Sequence, residues 1–181
     1  MMEDLSLHVL DIAENAIAAG ATRISVTINE NEKRNLLTIR VSDNGRGMSK
    51  KDARRALDPF FTTKKKRTGL GLPLLAQAAE HCGGGAAIAT VLKKGTTVTA
   101  RFRHRHIDRP PLTNMSATFT TLVFGHLEID FRYCHRRNGR VFRFASRRDL
   151  RAGRETPWLN PGLFRSIKKR FQAGLKIIGR T

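Results

Sequence analysis

The 181-residue sequence predicts an α+β fold, and three observations carry that prediction. Apolar residues alternate with period two in Ile24-Ser25-Val26-Thr27-Ile28 and in Leu37-Thr38-Ile39-Arg40-Val41-Ser42-Asp43, the mark of half-buried strands. Two further pairs of strand-like segments are joined by turn signals at Lys93-Lys94-Gly95 and Asn138-Gly139, which makes each pair a hairpin. Stripes of helical spacing lie before, between and after them, opening at Leu5, Leu70, Leu112 and Asn160-Pro161. An apolar content of 40% with 27% charged residues excludes a disordered chain. Cys82 and Cys134 alone cannot form a disulfide framework or a Cys-x-x-Cys metal knuckle. The acidic start Met1-Met2-Glu3-Asp4 has no apolar signal core, and no apolar run approaches 18 residues, so a cytoplasmic protein without a transmembrane segment is expected.

The elements follow in order. Leu5 to Ala19 is a helix with Leu5, Val9, Ile12, Ala13, Ala16 and Ile17 on one stripe, stopped by Gly20. Asp11 and Asn15 stand four apart and so share one side of it. In the second strand Asp43 has the parity of Leu37, Ile39 and Val41. A carboxylate at the end of an apolar row faces the buried side, which is costly unless it is hydrogen-bonded or serves a ligand. Ser49 caps a short helix through Ala53 to Leu57, and Asp58-Pro59 ends it. Residues 60–69 read as a loop. A helix through Leu72, Leu75, Ala76 and Ala79 then runs to Gly83-Gly84-Gly85, and a hairpin spans Ala86 to Phe102. Arg109-Pro110-Pro111 is a boundary. Leu112, Met115, Phe119, Leu122 and Val123 form another helix. The Asn138-Gly139 turn sets His135 opposite Phe142 and Tyr133 opposite Phe144, putting Ile129, Phe131, Tyr133, Phe142 and Phe144 on one face, read as core. Residues 145–160 read as an arginine-rich linker. Phe164, Ile167, Phe171, Leu175 and Ile178 then recur at spacings of 3, 4, 4 and 3 on a basic amphipathic helix.

Four pieces point to one nucleotide site. Asp11 and Asn15 bring a carboxylate and an amide oxygen to one helix turn, suited to a hard cation and to handling a proton. Asp43 can accept from an exocyclic amine, and Gly45 and Gly47 let the backbone pass close to a flat ring. Thr68-Gly69-Leu70-Gly71-Leu72 turns a glycine-rich loop into a helix, whose free amides and dipole suit phosphates. Thr96, after Gly95, shares the inward parity of Val98, Ala100 and Phe102. Lys64 opens the run Lys64-Lys65-Lys66-Arg67, most of which reads as a solvated loop.

The order and spacing of these pieces resemble the GHKL superfamily of gyrase, heat-shock chaperone, histidine kinase and mismatch-repair ATPases. Glu14-Asn15-Ala16 through Ala21 is similar to a mismatch-repair N box, and Asp43-Asn44-Gly45-Arg46-Gly47-Met48 to the first glycine box. Asp58-Pro59-Phe60-Phe61-Thr62-Thr63-Lys64 resembles the phenylalanine box of histidine kinases. Thr68 to Leu72 and Gly95-Thr96 resemble the second and third glycine boxes, so the likeness covers about residues 5–103. It implies a Bergerat fold, a two-layer α/β sandwich with helices on one face of a mixed sheet, carrying a C-terminal helix-hairpin extension and basic tail. It also implies ATP and magnesium as cofactors. Asn15 would hold the metal, Asp43 the adenine amine with a water shared with Thr96, and Lys64 and Gly69 to Leu72 the phosphates. Hydrolysing members place a glutamate four residues before the N-box asparagine. That position is Asp11 here, with Glu14, about 100° round the helix, as second choice for the base.

The expected organisation is an ATP-binding unit over 1–108, a helix and hairpin over 109–144, and a basic linker and helix over 145–181. The first unit holds 18 basic and 11 acidic residues and the remainder 16 and 4, so the excess positive charge concentrates in the C-terminal part. With the ATP unit at the start of the sequence, no phosphoacceptor hairpin and no gyrase-type transducer domain are expected, so phosphate would be expected to go to a separate protein. A nucleotide-switch ATPase and a non-catalytic ATP-binding adaptor are the alternatives. The apolar stripe of the last helix could pack back on the domain, bind a partner or lie on an anionic membrane surface, with packing or partner binding ahead of membrane. The tail is expected to be dispensable for the pocket and to dock an anionic partner, the stripe favouring a docking role over a purely solubilising one.

Overall fold

The computed structural model of the chain describes residues 4–57, 71–147 and 161–179. Its elements are α1 (Leu5–Ala18), β1 (Arg23–Asn31), β2 (Leu36–Asp43), α2 (Lys50–Arg55), α3 (Gly71–His81), β3 (Gly85–Val91), β4 (Gly95–Arg103), α4 (Met115–Gly125), β5 (Asp130–Arg137), β6 (Arg140–Ala145) and α5 (Pro161–Ile177). The strands form one six-stranded sheet in the order β3-β4-β2-β1-β5-β6. Only β1 and β5 run parallel; every other neighbouring pair is antiparallel, so the sheet is mixed. Together with the helices this is the two-layer α+β sandwich that the sequence implied.

Strand parity sends one row of each of the central strands into the core. Ile24, Val26 and Ile28 of β1, Leu37, Ile39 and Val41 of β2, and Val98, Ala100 and Phe102 of β4 are buried. They meet the stripe Leu5, Val9, Ile12, Ala13 and Ala16 of α1, and Leu75 and Ala79 of α3, in one continuous hydrophobic cluster. Both helices end where glycine permits it. After α1, Gly20 at φ +74° donates to the Ile17 carbonyl while Ala21 donates to Ala16. After α3, Gly83 at φ +65° and Gly84 repeat the pattern onto Glu80 and Ala79. These paired bonds satisfy carbonyls that the helix leaves open.

The β5–β6 hairpin has the expected register, with His135 opposite Phe142 and Tyr133 opposite Phe144. Its aromatic face is core, as expected, because Phe119 of α4 and Phe171 of α5 cover it. Phe171 lies 4.7 Å from the Tyr133 ring and 5.1 Å from Phe119. This corrects the expectation that the apolar stripe of the last helix serves a docking role. Ile167, Phe171, Leu175 and Ile178 are buried against the chain's own α4 and β6. The physical reason is that the hairpin and α4 leave an aromatic surface that water would otherwise wet. Phe164, at 41% exposure, stays on the rim beside Phe124. The basic side of α5, with Arg165, Lys168, Lys169 and Lys176, faces solvent.

Smaller differences have local causes. The helix expected from Leu112 begins at Met115. Leu112 is buried in the extended segment before it, where Leu5 donates to the Pro111 carbonyl at 2.8 Å. The β3–β4 turn is centred one residue early, on Leu92-Lys93-Lys94, because Lys93 takes φ +61° and Gly95 joins β4 opposite Val91. Among the described residues no helix is long and apolar enough to cross a membrane.

Candidate functional site

The inward parity of Asp43 holds. Its carboxylate ends the β2 row half-buried, and its Oδ1 accepts the Gly45 amide at 2.8 Å and the Thr96 amide at 3.3 Å. Oδ2 takes no hydrogen bond from the described residues. Burial pushes the Asp43 carboxyl above its ordinary value, and the two amide bonds oppose that shift without cancelling it. Asp43, Thr90 and Thr96 line one open cavity of about 670 Å³, together with Lys50, Ala53 and Leu57. Thr90 was not singled out by the sequence. Its signal is the hairpin register that sets it opposite Thr96. The Thr90 hydroxyl donates to the Gly95 carbonyl at 3.0 Å, accepts the Met48 amide at 3.0 Å, and lies 3.0 Å from the Thr96 hydroxyl. A hydroxyl has one proton, so Thr96 donates to Thr90 and its own lone pairs remain for a donor in the cavity.

The loop after Asp43 is pinned at three places. Asn44 Oδ1 accepts the Thr22 and Arg23 amides at 2.9 and 2.8 Å. The Arg46 amide donates to Ala19, and Lys93 donates to the Arg46 carbonyl at 2.7 Å. Gly47 sits at φ +63° with its Cβ position 2.2 Å from the Val91 carbonyl oxygen, and Gly95 at φ +101° with its Cβ position 2.0 Å from that of Asp43. No side chain fits at either place, and left-handed backbone independently demands glycine there. Gly45 has a Cβ position 2.9 Å from the Ala19 carbonyl oxygen and 3.0 Å from Asp43 Oδ1, so a side chain there would press on the end of α1 and on the Asp43 carboxylate.

The other residues expected at the site, Asp11 and Asn15, lie on α1 and are not among those that line this cavity. Asp11 is exposed and Asn15 half-buried on the same side. The start of α3 abuts Asp11, since a Cβ at Gly71 would stand 2.8 Å from its Oδ2. The N-terminus of an eleven-residue helix, with its positive dipole end, is therefore brought to the Asp11 side chain. Leu72 follows, half-buried. Glu14 is turned elsewhere, 3.6 Å from His126 beyond the end of α4. Lys64, Thr68, Gly69, Leu70 and the Asp58-to-Lys64 box lie outside the described residues. Among the described residues no cluster of three His, Cys, Asp or Glu side chains could hold a metal. Asn15 and Asp11 offer oxygen donors only, which fits magnesium, an ion held through one or two protein ligands with substrate phosphates completing its shell.

The chain is similar to known proteins in sequence and in fold. Sensor histidine kinase WalK of Bacillus subtilis is 35% identical over 108 residues, covering 54% of this chain and 17% of that protein. DNA mismatch repair protein MutL of Chlorobium chlorochromatii is 48% identical over 58 residues, covering 32% of this chain and 8% of that one. The chain thus spans less than a fifth of either relative. The ATPase domain of Aquifex aeolicus MutL complexed with ADP superposes with a TM-score of 0.50 over 75% of this chain and 60% of that one, at 18% identity. The N-terminal domain of a DNA repair protein does so with a TM-score of 0.55 over 78% and 52% at 15% identity, and at such identities both neighbours speak to the fold. Residues 3–106, the stretch holding Asp11, Asn15, Asp43 and Thr96, match the family described as histidine kinase-, DNA gyrase B-, and HSP90-like ATPase, and this chain is a member of that GHKL family.

Proposed function

We propose that the chain binds Mg-ATP and delivers its terminal phosphate to a separate protein. The observation that carries the nucleotide reading is Asp43, a residue of the cavity lining: one carboxylate oxygen accepts two backbone amides and the other accepts none from the described residues. Asp43 would hold the adenine amine there, with Thr96 accepting from a water beside it. Phosphates would lie toward the N-terminus of α3, with Thr68 to Leu72 and Lys64 contributing. The Asn15 side-chain oxygen would ligate magnesium, whose chemistry is to neutralise phosphate charge. Asp11, beside the start of α3, would take the proton of the attacking group. Glu14 is the weaker candidate, because it is paired toward His126.

Transfer to a protein is favoured by the kinase relative, whose match spans more of the chain than that of the mismatch-repair relative. The mismatch-repair likeness supports a second reading, in which the nucleotide switches partner contacts and water is the acceptor. Incubation with ATP labelled on its terminal phosphate, alone and with cell extract, separates them. Label moving to a protein supports the first reading. Free phosphate from the purified chain supports the second. ATP bound tightly with neither product supports a non-catalytic adaptor and refutes both.

A further inference from the structure

The face of the sheet turned away from the helices carries a pattern that nucleotide binding does not use. Its residues have the parity opposite to the core rows. Register places Arg40, Thr27, Cys134 and Arg143 in one cross-strand row over β2, β1, β5 and β6. The next row is Arg101, Thr38, Asn29 and Arg136 over β4, β2, β1 and β5. Each row is thus arginine, two uncharged side chains, arginine. All four arginines are exposed. Among the described residues none pairs with a carboxylate, whereas Arg23 and Arg132 on the same face share Asp130. The face dips between β1, β5 and β6 into a cavity of about 840 Å³.

We propose that this open sheet face binds the sugar-phosphate backbone of a DNA duplex. Three strand spacings separate the arginines of a row by about 14 Å, and two residues along a strand separate the rows by about 7 Å. A major groove of about 12 Å, flanked by phosphates rising about 3.4 Å per nucleotide, presents charges on a matching scale. The side chains are arginine, whose planar fork pairs with phosphate oxygens through two bonds. The floor of Ser25, Thr27, Thr38 and Asn29 offers hydroxyl and amide donors to phosphate and sugar. Among the described residues this face carries no aromatic ring on which single-stranded bases would stack. Its exposed apolar side chains, Val91 on β3 and Val141 on β6, stand at opposite edges of the sheet, too far apart to form one surface that enters a lipid layer. The inference is independent of whether phosphate is transferred.

The test is fluorescence anisotropy of a short labelled DNA duplex titrated with the full chain, between about 50 and 200 mM salt. Binding should weaken with salt, with a logarithmic slope of about −0.9 per phosphate contacted. The double variant Arg40→Ala/Arg143→Ala should lose about 2 from the size of that slope. Arg101→Ala/Arg136→Ala should do the same. Both should keep the wild-type circular dichroism and ATP affinity, which excludes misfolding. Lys168→Ala/Lys169→Ala on α5 should bind as wild type. The proposal is overturned if the duplex does not bind, or if the α5 variant loses binding while the sheet variants keep it. It is equally overturned if the single strand or vesicles of mixed neutral and phosphatidylserine lipid compete better than duplex.

Discussion

Asp43→Asn separates the fold from the ligand at one atom. The Gly45 and Thr96 amides both point at Oδ1, so the substituted amide will place its carbonyl oxygen there and keep both bonds. Its NH2 then replaces Oδ2, where the proposed adenine amine also presents a donor. The loss combines a bond to a charged acceptor, about 1.5–3 kcal/mol, with a desolvated donor left facing a donor, about 1–3 kcal/mol. Taken together that is about 3–5 kcal/mol, a weakening of ATP binding by about a hundred- to several-thousandfold. Because burial raises the Asp43 carboxyl, the folded chain holds a proton there more readily than the unfolded chain. The associated stability is present at low pH and fades as pH rises through the raised value. At neutral pH the asparagine variant should therefore unfold at the same urea concentration as wild type or a higher one. Wild-type ATP affinity should fall on acidification as Asp43 protonates, and that contribution should vanish in the variant. Calorimetric titration and urea unfolding measure both. Wild-type affinity in the variant would remove Asp43 from the site, and a collapsed fold would show that the two amides do not hold the substituted side chain.

Three further outcomes are expected. Asp11→Asn should keep ATP affinity and lose turnover by about 10²–10⁴-fold, as removal of a general base does, while Glu14→Gln stays within a few fold; single-turnover assays on labelled ATP would show the reverse ranking if Glu14 is the base. Phe171→Ala, at a fully buried ring within 6 Å of four other aromatic rings, should cost about 3–5 kcal/mol in urea unfolding, and removal of residues 145–181 should destabilise the whole chain rather than spare the ATP unit; a cost below about 1 kcal/mol would mean that α5 is not docked in solution. Asp4→Ala should cost about 2 kcal/mol at neutral pH, since Asp4 caps α1 at Ser6 and holds Thr113. Burial alone would raise the Asp4 carboxyl, but the Ser6 and Thr113 bonds outweigh it and bring it below the ordinary value, so this stability is present above that value and lost as pH falls through the lowered one. Urea midpoints of variant and wild type should converge in acid.

What the sequence made legible was local or periodic. Asn138-Gly139 fixed the β5–β6 register, because a two-residue turn leaves one pairing consistent with the apolar pattern. Parity alone placed Asp43 and Thr96 on the same side of the sheet. What stayed hidden depends on contacts between distant segments. Nothing local says that β5 lies along β1, or that Glu14 meets His126 rather than the start of α3. The amphipathic stripe of α5 announced that something would cover it without saying what. Asp4 looked like a charged N-terminal residue, and only the approach of Thr113 makes it a tie between the start of α1 and the segment before α4.

The parallel pairing of β1 with β5 also sets an order of events. Arg23 and Asp130, which pair at its start, are 107 residues apart. β2 can zip onto β1 as soon as both exist, but the other edge of β1 stays open until β5 has been made. At synthesis rates of about 5–20 residues per second that interval is about 5–20 s. For that time the nascent chain exposes an unpaired edge with its amides and carbonyls bare, a template for other strands. Closing it requires a long loop, so folding of the completed chain should be governed by this non-local step rather than by its helices.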